Sequence, residues 1–196
     1  MRLFVIARHG QSMLNLARRV NGDPSVEVAL TEQGEEESRQ LGAQLANVPF
    51  DACVHTRFGR TRRTVEIALD GLSLPLVEEP LLDDIDVGEL EGETIERYRE
   101  WKRAHGRGDP FPGGESLDAA ARRYSEAYRR LLSAEYGSVL VVTHEIPLRY
   151  ALNASAGSDR LDGPAHDIPN ATPYVFDEQA LGRAVAGIER LAGSGG

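Results

Sequence analysis

The feature that most narrows the fold is an alternation along the chain: short, β-branched apolar runs take turns with longer stretches of helical spacing. The runs fall at residues 2–7, 51–55, 74–77, 139–143 and 173–176 and predict strands. Residues 31–46, 58–69, 94–105 and 116–135 carry helical spacing, Thr31 and Ser116 stand where N-caps belong, and a further helix is expected after Pro147. Such alternation predicts an α/β fold, a three-layer doubly wound, mostly parallel sheet with helices on both faces. For residues 182–191 both a last helix and the return strand of a hairpin with 173–176 fit, and the hairpin is the expectation. No linker or shift of composition divides the 196 residues, so a single domain over 1–192 is expected, with a flexible tail at 193–196.

In an open α/β sheet ligands bind beyond the carboxyl ends of the strands, so the residues that follow each apolar run matter most. The first run leads into Arg8-His9-Gly10, the second into His55-Thr56-Arg57 with Arg60 close behind, and the fourth into His144. A lone Arg or His is ordinarily a surface cation or a hydrogen-bonded side chain. Three strand ends that each deliver Arg or His to one sheet edge point instead to an anion. Guanidinium groups offer paired donors to phosphate oxygens, and charge-assisted hydrogen bonds are the strong kind.

Any such anion must be bound locally, because 22 Lys and Arg against 31 Asp and Glu give a formal charge of −9. That balance disfavours non-specific attraction to nucleic acid or to an anionic membrane. The apolar start at residues 1–7 is too short to span a bilayer and runs straight into charge, so a soluble, cytoplasmic protein is expected. The single cysteine, Cys53, lies in an apolar run and reads as a buried small hydrophobe. There is no helical His-Glu-x-x-His pair, no Cys pair and no Walker loop, so no metal or other cofactor is expected. The expected partner is a small phosphorylated substrate, with a homodimer left open.

The ordered series of motifs resembles the histidine phosphatase superfamily, which includes the cofactor-dependent phosphoglycerate mutases. Arg8-His9-Gly10-Gln11-Ser12 with Asn15 resembles its Arg-His-Gly signature, and Leu30-Thr31-Glu32-Gln33-Gly34 its Leu-Thr-x-x-Gly segment. Arg60 and Thr64 match its Arg-x-x-x-Thr, Gly88-Glu89-Leu90-Glu91-Gly92 is similar to its Gly-x-Trp-Glu-Gly, and Gly113-Gly114-Glu115-Ser116 to its Gly-Gly-Glu-Ser. Val142-Thr143-His144 and Asn170-Ala171 complete the series. The resemblance implies that His9 is a nucleophile forming phosphohistidine, that Arg8, Asn15, Arg60 and His144 hold the phosphoryl oxygens, and that Asp84 is the proton donor, with His144 also counted as catalytic. Neighbouring cations disfavour protonation of a histidine whose ordinary pKa is about 6.5, and they stabilise a transferring phosphoryl group.

Several positions depart from that pattern. Asp84 stands where the family has Glu, one methylene longer, and its neighbours Asp83 and Asp86 are expected to raise its pKa if they lie close. Glu145 replaces the usual Gly after the second histidine and is expected to turn outward, while Leu90 replaces Trp and is read as packing. Arg57 and His55 are read either as extra phosphate contacts or as ordinary residues. Arg97, Arg99, Lys102, Arg103 and Arg107 cannot all share one helix face, so most are expected in solvent and some to contact a second anionic group. Three functions follow. A metal-independent phosphomonoesterase comes first, because mutases carry longer insertions between the positions of Gly92 and Gly113. A cofactor-dependent phosphoglycerate mutase is second, and a non-catalytic phospholigand-binding module third.

Overall fold

The computed structural model describes residues 2–193. Five strands, β1 (Leu3–Arg8), β2 (Ala52–His55), β3 (Leu76–Glu78), β4 (Ser138–Thr143) and β5 (Pro173–Asp177), form one sheet in the order β3-β2-β4-β1-β5. All pairs are parallel except β1 with β5, which run antiparallel. The helices are α1 (Met13–Leu16), α2 (Glu32–Leu45), α3 (Gly59–Ala68), α4 (Ile95–Ala104), α5 (Leu117–Ser133), α6 (Glu145–Ser155) and α7 (Glu178–Gly193). Among the described residues no helix is long and apolar enough to cross a membrane.

The central strands β1, β2 and β4 are apolar at nearly every position because both faces of the sheet are covered there. Phe4, Ile6, Val54, Val139 and Val141 point to the side of α5, α6 and α7, while Val5, Ala7, Cys53, Leu140 and Val142 pack with Leu41 and Leu45 of α2 and Val65 of α3. Full burial of each large side chain contributes roughly 1.5–3 kcal/mol. Cys53 is fully buried, and burial pushes its thiol pKa up, so it acts as a small hydrophobe. Thr31 and Ser116 cap α2 and α5 by accepting from Gly34 N at 3.0 Å and Ala119 N at 3.1 Å.

Two sequence expectations require revision. Residues 182–191 are not a return strand: they belong to α7, and the edge partner of β5 is β1. Asp177 Oδ1 accepts from Ala180 N at 2.7 Å at the start of this helix, and Leu181, Ala184, Val185, Ile188 and Ala192 bury one face. At Gly187 α7 passes close to α6: a Cβ there would lie 2.9 Å from Ala154 Cβ. Likewise, Gly193 closes α7 rather than opening a tail, while 194–196 lie outside the described residues. The helix expected after Pro147 begins two residues earlier, at Glu145, and Pro147 sits in its first turn, where no backbone N–H is needed.

Candidate functional site

Strand register brings the site together. Arg8 pairs with Thr143 and His55 with Val142, so His9, His144 and Thr56 leave the sheet side by side. His9 N donates to Thr143 O at 2.9 Å, and from the other side Asn170 Nδ2 donates to His9 O at 2.8 Å and Ala171 N to Arg8 O at 2.9 Å. Gly10 crosses α2 at Gly34 so closely that a Cβ on Gly10 would lie 2.3 Å from Gly34 O, which accounts for the glycine in both motifs. Gly10 N donates to Thr64 Oγ1 at 2.9 Å; Thr64 lies one turn beyond Arg60, so α3 ties the β1 exit while presenting a guanidinium.

His9 is almost fully buried and held through both ring nitrogens. Nδ1 lies 2.7 Å from Gly10 O, which can only accept, and Nε2 lies 3.0 Å from Arg60 Nε, which can only donate. The ring is therefore the neutral tautomer protonated on Nδ1, with its Nε2 lone pair accepting from Arg60 at the wall of the cleft. Burial first, then Arg60 and Arg8, hold its pKa well below the usual imidazole range. His144, at the start of α6, is held in the opposite sense: Nε2 is 3.0 Å from Thr56 Oγ1 and Nδ1 3.1 Å from Arg60 Nη2. Since Arg60 again only donates, the proton of neutral His144 sits on Nε2. Burial and Arg60 depress its pKa as well.

Arg60 is the hub. Beyond the two histidines it donates from Nη1 to Asn21 Oδ1, and from Nη2 to Asn21 O at 3.2 Å and Asp84 Oδ2 at 3.3 Å. Burial lowers its pKa to about 10, which leaves it a cation at neutral pH. Asn21 is held in turn by Glu91, whose carboxylate accepts from Asn21 Nδ2 at 2.7 Å and Gly22 N at 2.6 Å. That is the structural reason for the Glu in the Gly88–Gly92 motif. Leu90 of the same motif is buried packing, as read from the sequence.

Arg8, His9, Asn15, Arg60 and Asp84 all line one cavity of about 210 Å³, and His144 backs it through Arg60. Asn15 Oδ1 accepts from Ser12 N at 3.1 Å in a capping box, which leaves its Nδ2 as the free polar group. Asp84 reaches the site despite its shorter side chain; Oδ2 stands 3.6 Å from His144 Nδ1. Its pKa is raised, but by burial first and, among like charges, by Glu145 rather than by Asp83 or Asp86. Asp83 is buried against Arg57, accepting from its N at 3.0 Å and its Nε at 2.6 Å. Arg57 thereby faces away from the phosphoryl site, and His55 is buried with Nδ1 2.8 Å from Thr56 O.

Glu145 corrects the sequence expectation. It turns into the cleft, not outward, because Arg8 Nη1 at 3.2 Å and Arg149 Nη1 at 3.0 Å hold its two oxygens. Arg149, one turn along α6, does not stand out in the sequence, nor do Asn21 and Thr56. Of the basic stretch, Arg99 and Lys102 line the cleft on the same α4 face as Ile95 and Tyr98, whereas Arg97 and Arg103 are exposed and Arg107 pairs with Asp118 and Asp162.

The site's Arg and His arrangement is that of an enzyme family, and known proteins agree with it. The pattern of the histidine phosphatase superfamily (branch 1) matches residues 4–189. This chain belongs to that superfamily. The 2,3-bisphosphoglycerate-dependent phosphoglycerate mutase 2 of Gloeobacter violaceus is 33% identical over 197 residues, covering 93% of this chain and 88% of its own. A phosphoglycerate mutase structure from Thermus thermophilus superposes with a TM-score of 0.68 at 29% identity, over 89% of this chain and 92% of that one. The alpha-ribazole phosphatase of Shigella flexneri shares the fold with a TM-score of 0.76 at 22% identity, over 89% of this chain and 90% of its own. Membership of the superfamily supports a phosphatase or mutase activity.

Proposed function

We propose that this chain is a phosphomonoesterase that hydrolyses a small phosphorylated metabolite through a phosphohistidine on His9. The observation that carries this reading is the fixed tautomer of His9, whose unprotonated Nε2 lies in a cleft wall with Arg8 and Arg60 and is released for attack when Arg60 turns its Nε–H to the phosphoryl oxygens. In the first step Nε2 attacks phosphorus, the bond to the ester oxygen breaks, and Asp84, kept protonated to higher pH by burial, gives its proton to the departing alkoxide. In the second, water attacks the phosphohistidine, Asp84 takes its proton, and the N–P bond breaks to release phosphate. Arg8, Arg60, Asn15 and His144 hold the phosphoryl oxygens. His144 Nδ1 is an acceptor in the free site, so it takes up a proton as the dianion arrives and then donates. These cations supply the electrostatic stabilisation, and no step is routed through a metal.

Hydrolysis is favoured over transfer by the connection between Gly92 and Gly113, which holds only one helix, α4, over the cleft, and by exposed Arg19 and Arg99 at its border. The mutase reading has its own support in the Gloeobacter and Thermus relatives. Brief incubation with a phosphorus-labelled ester, stopped in alkali, should leave label on the wild-type protein and none on His9→Ala. With 3-phosphoglycerate as substrate, free phosphate should appear faster than 2-phosphoglycerate. Label that survives in His9→Ala removes the nucleophile, and faster isomerisation makes the chain a mutase.

A further inference from the structure

The phosphoryl pocket uses only the inner part of the cleft. Of its lining cations, Arg8 and Arg60 lie beside His9, but Arg19, Arg99, Lys102 and Arg149 stand farther out, on a chain whose net charge is −9. Arg149, Lys102 and Arg107 converge on a single carboxylate: Asp162 accepts from Arg149 Nη2 at 2.7 Å and Arg107 Nη1 at 2.7 Å, while Lys102 Nζ comes only to 3.9 Å. Arg149 also pairs with Glu145 and Arg107 with Asp118, so these three cations are balanced, and the margin of positive charge at this edge of the cleft comes from exposed Arg99. Burial already holds the Lys102 ammonium below its usual pKa, with Asp162 opposing.

Buried polar atoms without a partner occur along this cleft, in its inner and its outer part. Among the described residues six buried side-chain polar atoms lack a partner, and three of them, Arg8 Nε, Tyr98 Oη and Arg149 Nε, belong to residues lining this cleft. These three atoms are closed off behind the cleft wall, so the donors that a ligand can reach in the outer part are the Arg99 guanidinium and the Lys102 ammonium. The same cleft also has an apolar wall, made by Val20, Val87, Ile95 and Ile146. Glu145, bridging Arg8 and Arg149, stands between the two cationic zones and keeps them from merging into one anion site.

We infer that Arg99 and Lys102, backed by Arg149, form a second anion subsite, and that the substrate is a phosphomonoester with an apolar part and another anionic group. The inference rests on the phosphatase reading of His9. A carboxylate or a second phosphate meets the same donors. The test compares three benzyl phosphates that differ only at the para position, with carboxylate, phosphonate or neutral carboxamide there. The leaving alcohol sits behind a methylene, so its acidity changes little. One charge-assisted contact makes the better anionic ester about tenfold higher in kcat/KM than the carboxamide. Which anion gains more identifies the class. Lys102→Met and, on the exposed side, Arg99→Gln should each cut that ratio severalfold, while Arg103→Gln leaves it unchanged. A wild-type ratio near one, with phosphate released from all three through labelled His9, overturns the subsite and leaves the phosphatase standing. No release from any of them and no label on His9 overturns the underlying reading, and the subsite with it.

Discussion

The inner pocket and the outer mouth of the cleft are built on opposite principles. Inside, Arg60, His9 and His144 leave almost no hydrogen-bonding capacity unused, and each is anchored to a strand end or to the first turn of a helix. Outside, cations on α4 and α6 share one aspartate, and buried donors lack partners. The inner arrangement depends on sheet register and so on the fold itself, which makes it the part that defines the chemistry. The outer one depends on side chains of two helices, which can vary without disturbing the sheet, and it suits the selection of a substrate.

Variants at the two places should therefore fail differently, inner ones in the chemical step and outer ones in substrate preference. The largest inner effect is expected from Asp84→Asn. In the first turnover it should slow an alkyl phosphate by roughly 10²–10⁴ and an activated aryl phosphate far less, since only a basic leaving group needs the proton. Rapid-quench measurement of phosphohistidine separates the two, and equal slowing would make Asp84 a structural partner of Arg60. Next, Arg60→Ala should lower kcat/KM by about 10- to 150-fold, the equivalent of about 1.5–3 kcal/mol for a charged hydrogen bond. Arg62→Ala should stay within about twofold, because its partner is the exposed Glu66 one turn away. Matching losses would break the assignment of the α3 faces.

The smallest effect is a pH dependence of folding. Both histidines have folded pKa values depressed below their unfolded ones, so the unfolded chain binds more protons in mild acid. Stability from this source is fully present above about pH 6.5 and is lost as pH falls toward the depressed values. Denaturant midpoints across that range should fall for the wild type and fall less for His144→Gln. A flat profile would show that the pocket is more hydrated than its burial indicates.

Much of the inner site is legible in the sequence because it is local to strand ends: β-branched runs give the strands, and Arg8, His9 and His144 follow them directly, with Arg60 in the first turn of α3. Asn21 is not legible, since its role needs Glu91 to fold the loop against Arg60 across the chain. Thr56 stands beside His55 at a strand end, a usable signal, but its hydroxyl gains meaning only from parallel pairing with β4. Glu145 reads wrongly when repulsion by phosphate is weighed without Arg149, four residues on and thus on the same helix face. For α7 a helix and a strand both fit residues 182–191 in the sequence, and what decides is visible only in the fold: the Asp177 cap and the close passage of Gly187 over α6.

The saturation of Arg60 bears on turnover. Its three nitrogens already donate to His9, His144, Asn21 and Asp84, so an arriving phosphoryl group exchanges existing bonds and adds few new ones. Inorganic phosphate, which lacks any group for the outer mouth, gains little by staying, while the protein's own side chains stand ready to take back the guanidinium. On the phosphatase reading, the same bonds that organise the pocket thus favour product departure, so that such an enzyme is not readily clogged by the phosphate it releases.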